Sequence, residues 1–213
     1  IKAGARVIDL GTGSGVIPLL LSVKQPDSTF VGLELIEEMA AMAARSVTMN
    51  GLDDRISIIH GDIRSAEELF GKASFDVAVS NPPYYKTGAG RRNMDPLFAV
   101  ARSEQCCTLA QLLDAAAALL KPGGDLYMVY RAQRSGELFG ELASRRLCLE
   151  KLRFVQPYEG RPANLMLIKA RKHGRGQTKV LPPLIVYKAA GEYSEEMERI
   201  YGRDPLSGGN AHR

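Results

Sequence analysis

VIDLGTGSG occupies residues 7–15. It joins the apolar run ARVIDLG (5–11), which reads as a buried strand, to GVIPLLLSVK (15–24), which reads as a helix. Pro18 is tolerable there because it lies in the first helical turn, where its missing N–H is not needed. Glycines 11, 13 and 15 let a ligand approach the backbone closely, and the helix N-terminus offers N–H groups to an anionic moiety. The spacing is G-x-G-x-G, not the dinucleotide-binding G-x-G-x-x-G, and an acid, Asp9, stands before it. A carboxylate at that point repels a pyrophosphate and suits a ligand that carries an ammonium group.

Outward from this loop, short β-branched runs alternate with longer helical patterns. STFVGLEL (28–35), RISIIHGD (55–62), FDVAVSNPP (75–83) and DLYMVY (125–130) read as strands. EEMAAMAARSVTMN (37–50), with Met39, Met42, Ala43 and Val47 at helical spacing, ends at Asn50-Gly51. LAQLLDAAAALL (109–120) is a second clear helix, stopped by Lys121-Pro122-Gly123-Gly124. Such alternation implies right-handed βαβ crossovers, hence a doubly wound α/β fold with a mostly parallel sheet and helices on both faces. After a helix near 133–145 the pattern changes. LCLEKLRFVQP (147–157) and NLMLIKARK (164–172) are separated only by Tyr158–Ala163, a loop that permits an antiparallel hairpin and no crossover. The expectation is a seven-stranded sheet with a C-terminal antiparallel hairpin. The domain would run over 1–172, and a basic extension, 173–213, would pack on it or trail from it. That extension contains Pro182-Pro183 and a short acidic helix near 194–201.

Composition sets the bounds. With 213 residues, 45% hydrophobic and 24% charged, the chain is of globular type, which excludes disorder, collagen and coiled coil as whole-chain readings. The longest apolar run, Val16–Val23, contains Pro18 and Ser22 and is far short of the ~20 residues that span a bilayer. No signal-peptide pattern opens the chain, and its start at Ile1 implies residues upstream. Cys106, Cys107 and Cys148 are odd in number and lack CxxC spacing, which points to a reducing, cytoplasmic setting. His60, His173 and His212 are too scattered to suggest a metal site, and none is expected. Charge is unevenly distributed: residues 1–130 sum to −3 and residues 131–213 to +7. Lys169, Arg171, Lys172, Arg175 and Lys179 fall in an acid-free stretch, which suggests a polyanion partner; a merely solvated surface is the competing reading.

Two further acids end strands. Glu34, followed by Leu35, closes the second strand, where a carboxylate can accept both hydroxyls of a ribose. Asp62, followed by Ile63, closes the third, where a carboxylate can accept an adenine amino group. With Asp9, Gly11, Thr12, Gly13 and Gly15 they form a candidate ligand site at the carboxyl edge of the sheet.

The most specific feature is Ser80-Asn81-Pro82-Pro83-Tyr84 at the end of the fourth strand. An amide nitrogen or an exocyclic amine on a base is a poor nucleophile because its lone pair is delocalised. A site can help by hydrogen-bonding its N–H groups and aiming the lone pair. Asn81 offers a side-chain carbonyl and Pro82 a backbone carbonyl. Pro82 and Pro83 stiffen the loop, and Tyr84 offers a ring for stacking. Lys86, Arg91, Arg92 and Arg102 follow within a glycine-containing loop suited to phosphate and to closing over a substrate.

VIDLGTGSG, the acidic GLEL and HGDI resemble the three S-adenosylmethionine motifs of class I methyltransferases, whose fold is Rossmann-like. The resemblance covers about 5–171. It implies S-adenosylmethionine as cofactor, with Asp9 near the methionine amino group, Glu34 on the ribose and Asp62 at the adenine. Asn81 and its prolines resemble the (Asn/Asp/Ser)-Pro-Pro-aromatic motif of amino-directed N-methyltransferases, which act on adenine N6, cytosine N4, guanine N2 or glutamine. SNPPYYKTGAG, the hairpin, the basic segment and LPPLIVYKAAGEYSEEMERIYG (181–202) most resemble bacterial tRNA1(Val) adenine-N6 methyltransferases. That implies tRNA as partner, adenosine 37 as substrate and a monomeric protein, with Arg153 and Arg161 as further phosphate contacts. An rRNA guanine, a DNA adenine or a protein glutamine are alternative substrates. An NAD-linked oxidoreductase is a more distant reading, opposed by the glycine spacing, Asp9 and Asn81. A non-catalytic RNA-binding module is another, opposed by the intact Glu34, Asp62 and Asn81.

Overall fold

A computed structural model describes residues 1–82 and 107–203. Pro83, Tyr84, Lys86, Arg91, Arg92 and Arg102 lie outside the described residues. The elements run β1 (Arg6–Leu10), α1 (Val16–Lys24), β2 (Thr29–Glu34), α2 (Glu37–Met49), β3 (Ile56–His60), α3 (Ala66–Phe70), β4 (Phe75–Ser80), α4 (Leu109–Leu119), β5 (Leu120–Arg131) and α5 (Ser135–Ser144). Then follow β6 (Leu147–Gln156), β7 (Leu165–Lys172), β8 (Lys179–Ile185), β9 (Tyr187–Ala189), β10 (Glu192–Tyr193) and α6 (Glu195–Ile200).

The main sheet has the order β3-β2-β1-β4-β5-β7-β6-β8. β1 pairs in parallel with both β2 and β4, so the strand order reverses between β1 and β4. That switch point is where doubly wound sheets bind ligands. β1 and β2 are buried from their second residue onward, as parallel strands covered on both faces must be. Alternation along the strands divides the core. Val7, Phe30, Val77 and Val79 pack with Val47 of α2 and Ile17 and Leu21 of α1. Ile8, Leu10, Leu33, Ala78, Leu126 and Met128 pack with Leu112, Leu113 and Ala116 of α4 and Leu138 and Leu142 of α5.

β7 runs antiparallel to both β5 and β6, so the hairpin expected at 147–157 and 164–172 is present and built into the sheet. The strand count differs from the seven expected. Lys179–Ile185 forms an eighth strand, parallel to β6 at the sheet edge, and β9 and β10 add a separate antiparallel ribbon. Pro182 and Pro183 lie within β8, which an edge strand admits because it needs no outward N–H donors. The pairing shifts register between Arg153 and Val155, and Arg153 Nε donates to the Pro182 carbonyl inside that irregularity at 2.9 Å. The five-residue α3 also went unread, being too short to show a helical period.

Candidate cofactor and methyl-acceptor site

The glycine loop takes the left-handed conformation three times, at Gly11 (φ 77°), Gly13 (φ 57°) and Gly15 (φ 78°). Its N–H groups are tied to the neighbouring strand. Gly11 and Thr12 both donate to the Leu33 carbonyl, at 2.9 and 3.0 Å, and Gly13 donates to Glu34 Oε2 at 2.8 Å. A methyl group added at Gly15 would come within 3.0 Å of Ala43 Cβ, so α1 and α2 cross closely there. A methyl on Gly11 or Gly13 would make only ordinary van der Waals contact, 4.0 Å from Ile63 Cδ1 and 3.7 Å from Met39 Cε, so it is the positive φ and not close packing that calls for glycine at these two positions.

Asp9 lies at the end of β1 with 1% of its surface exposed. The Thr12 hydroxyl donates to Asp9 Oδ2 at 2.7 Å, while Asp9 Oδ1 is buried without a hydrogen-bond partner. Burial pushes this carboxyl up to about 7. The Thr12 hydrogen bond opposes the rise, and the nearby Glu34 charge adds to it. An orphaned acid oxygen beside the glycine loop suits an ammonium group, which would supply both the missing partner and the missing charge.

Glu34 ends β2, 8% exposed. Besides Gly13, its carboxylate accepts from the Ile36 N–H at 3.0 Å, on Oε1. Each oxygen retains lone-pair capacity, so Glu34 can brace the loop and still accept ribose hydroxyls. The Gly61 N–H donates to the Glu34 carbonyl at 2.8 Å, and His60 Nε2 lies 3.1 Å from the Leu35 carbonyl, which joins the ends of β2 and β3. Ile63 reaches toward Gly11, whose added methyl would lie 4.0 Å from Ile63 Cδ1.

Asp62 stands at the expected strand end but is already engaged. Its Oδ1 accepts from the Arg64 N–H at 2.8 Å, and the Arg64 guanidinium pairs with both oxygens. These hydrogen bonds hold the Asp62 carboxyl below its ordinary range. Arg64 was not foreseen as a partner. Its only signal is the Asp-x-Arg spacing, which lets an acid turn back on its own backbone.

Ser80 at the end of β4 donates its hydroxyl to the Leu10 carbonyl at 2.8 Å, clamping β4 to β1. Exposed Asn81 and buried Pro82 follow at once, on the strand next to Asp9. The carboxyl edge thus gathers Asp9, Thr12, Gly13, Glu34 and Asn81.

The basic residues of the C-terminal half are placed differently. β7 runs antiparallel to β5, so the chain from Lys169 to Lys172 runs from mid-sheet away from the Asn81 edge. Lys169 and Arg171 form an ion cluster with Asp125 and Glu150, at 2.8–3.1 Å. Burial would favour the neutral acid at Asp125, yet the hydrogen bonds from Arg171 and Lys169 outweigh it and hold that carboxyl below its usual range. Lys172 Nζ donates to the Leu120 carbonyl at 2.7 Å, and burial lowers its pKa. Arg153 grips Glu196 of α6 through two hydrogen bonds, at 2.7 and 2.6 Å. Arg161, Arg175 and Lys179 are exposed. Among the described residues, no group of acids, histidines and cysteines could hold a metal, and no helix is long and apolar enough to cross a membrane.

A family model described as a methyltransferase domain matches residues 1–158. The chain is 31% identical over 197 residues to a tRNA1(Val) (adenine(37)-N6)-methyltransferase of Porphyromonas gingivalis, covering 91% of this chain and 76% of that protein. It is 30% identical to the protein of the same name from Aeromonas hydrophila, covering 89% and 78%. Among solved structures, a predicted O-methyltransferase from Agrobacterium tumefaciens superposes with a TM-score of 0.75 at 22% identity, covering 96% of this chain and 92% of that one. TrmN from Thermus thermophilus superposes with a TM-score of 0.59 at 24% identity, covering 80% and 44%, and both structures attest the fold alone. With the glycine loop, the buried Asp9 and the Asn81 strand end in place, the chain belongs to the methyltransferase-domain family, alongside the tRNA1(Val) (adenine(37)-N6)-methyltransferases.

Proposed function

We propose that the protein is a cytoplasmic, monomeric enzyme that transfers a methyl group from S-adenosylmethionine to N6 of an adenine in RNA, with adenosine 37 of a valine tRNA as the substrate. S-adenosylmethionine, when bound, supplies a methyl group on a cationic sulfur. Asp9 receives the cofactor's ammonium group, and Glu34 receives its ribose hydroxyls while holding Gly13. Asp62, kept ionised by Arg64, accepts the adenine amino group of the cofactor through an oxygen it shares with that arginine. Asn81 and the Pro82 carbonyl accept the two N–H groups of the target amine and aim its lone pair, which is why no strong base is needed. Pro83 and Tyr84 complete the motif, with the Tyr84 ring stacking on the flipped base. Lys86, Arg91 and Arg92, in the segment that follows, take the substrate's phosphates.

The observation that carries this reading is the unpartnered, buried oxygen of Asp9 beside the glycine loop, one strand away from Asn81. The names of the relatives favour tRNA over rRNA, DNA or protein as the methyl acceptor. In Asn81→Ala, single-turnover methylation should fall by about 10² or more, as for loss of one transition-state hydrogen bond. Cofactor affinity should stay near the parent value. A loss of less than tenfold removes the aiming role.

A further inference from the structure

Half of the chain's eight tyrosines are drawn together by the C-terminal elements. Tyr158, in the turn after β6, lies 5.6 Å from Tyr187 between ring centroids. Tyr187 stacks on Tyr193 at 5.2 Å with the planes 13° apart, and Tyr193 meets Tyr201 at 5.2 Å. The Arg203 guanidinium stands 5.7 Å over the Tyr201 ring. None of the four rings is buried, and the two ends of the ladder are open, Tyr158 at 38% and Tyr201 at 54% exposure. A ladder that served only to fasten the C-terminus would be expected to bury its end rings. The fastening is already done by Arg153 on Glu196, by Ser194 Oγ on the Ile185 carbonyl at 2.6 Å, and by the Val186 and Tyr187 N–H groups on the carbonyls of Gln156 and Pro157.

Its place in the fold is informative. β6 and β8 run parallel to each other and antiparallel to β7, so the turn holding Tyr158 and the start of β9 both leave the sheet at the edge that carries Asn81. β6 lies three strands from β4, roughly 14 Å at about 4.8 Å per strand. A polynucleotide that delivers one base to Asn81 has its neighbouring bases within that reach. The basic cluster in mid-sheet is already paired with Asp125 and Glu150 and leads away from this edge.

We infer that the Tyr158–Tyr187–Tyr193–Tyr201 ladder, ended by Arg203, is a stacking platform for unpaired bases of the RNA next to the methylated adenine. This rests on the RNA substrate proposed above. Aromatic rings and guanidinium planes are the surfaces on which unpaired RNA bases stack, and such stacking is tolerant of sequence.

The test titrates tRNA against the parent, Tyr158→Ala, Tyr201→Ala and Tyr201→Phe at several salt concentrations, with cofactor affinity and melting temperature measured on each. The alanine variants should bind tRNA about 5- to 150-fold more weakly, the range for one lost base stack. Their salt slope should be unchanged, because no phosphate contact is lost. KM for tRNA should rise while kcat holds, cofactor affinity should stay put, and Tyr201→Phe should behave as the parent. Alanine variants that bind tRNA like the parent overturn the platform, as does a Tyr201→Phe variant as weak as Tyr201→Ala. So does a loss of affinity that tracks a fall in melting temperature and cofactor binding. Loss of self-association in Tyr201→Ala, with RNA binding intact, assigns the ladder to a second copy of the chain instead. A parent that binds no RNA removes the substrate reading itself, whereas a parent that binds and an indifferent Tyr201→Ala remove only the ladder.

Discussion

Ionised Asp9 carries an electrostatic cost that a proton or a cationic ligand relieves. Its carboxyl titrates near 7 when folded, against 3.8 ordinarily, because it is buried with one oxygen unpartnered. Between about pH 4 and pH 7 the folded protein therefore holds a proton that the unfolded chain has released, so stability falls as pH rises through that window. At pH 8, unliganded Asp9→Asn should be more stable than the parent, by up to about 4 kcal/mol at about 1.4 kcal/mol per pH unit, and the two should converge near pH 4. The same ionisation governs binding. Parent affinity for S-adenosylmethionine should rise from pH 5.5 to 7.5, while Asp9→Asn binds weakly with a flat profile. Thermal melts and calorimetry across pH measure both, and parallel curves for the two proteins would contradict this role. The strand-end positions of Asp9, Glu34 and Asn81 were legible because each is a polar residue at the end of an apolar run. The Arg64 grip on Asp62 was not, because a two-residue ion pair has no period and no composition signal.

At the scale of elements, β2 shows how tightly the site is built into the sheet. Gly32 pairs with Asp9 on one side and Ile58 on the other. A methyl group there would lie 2.8 Å from Ile58 Cδ1 and 2.8 Å from Thr12 Cγ2. Thr12 is the residue that holds Asp9, so overpacking β2 moves the acid. Gly32→Ala should cost about 1–3 kcal/mol in urea unfolding and should weaken cofactor binding as well. An unchanged midpoint would mean that Thr12 and Ile58 give way freely. Apart from the short α3, the strands and helices up to β7 were legible from hydrophobic period, since buried parallel strands and helices on either face leave strong patterns. β8 was hidden because it is an edge strand: it holds prolines, its exposed positions include the apolar Val180, Pro182 and Pro183, so inside and outside do not alternate in polarity, and only Leu184 in it is buried. Its partner β6 recognises it through backbone pairing, which no side-chain pattern reports.

For the whole molecule, the sequence suggested that Lys169, Arg171, Lys172, Arg175 and Lys179 act together on phosphates. Only the charge count supports that grouping. The fold divides them: Lys169 and Arg171 are spent on Asp125 and Glu150, and Lys172 on the Leu120 carbonyl, on a strand that leads away from Asn81. Linear spacing cannot show that acids from β5 and β6 lie beside a basic run on β7. Replacing Lys169, Arg171 and Lys172 together by glutamine should lower the melting temperature, because two acids lose their partners. The salt slope of tRNA binding should stay within about half a unit of the parent, since each phosphate contact contributes roughly 0.7 to 0.9. A slope flattened by about two units would restore these residues to the RNA surface.

The role proposed for Asn81, beside Asp9 and Glu34, is to direct a methyl group onto adenine N6. Mass analysis of nucleosides tests it most directly, on valine tRNA incubated with parent or Asn81→Ala protein and methyl-labelled S-adenosylmethionine. One labelled nucleoside, N6-methyladenosine, is expected at one site per tRNA with the parent, and a rate lower by about 10² or more with Asn81→Ala. Label on a guanine, on a ribose or on no nucleoside at all, or equal labelling by both proteins, would contradict it.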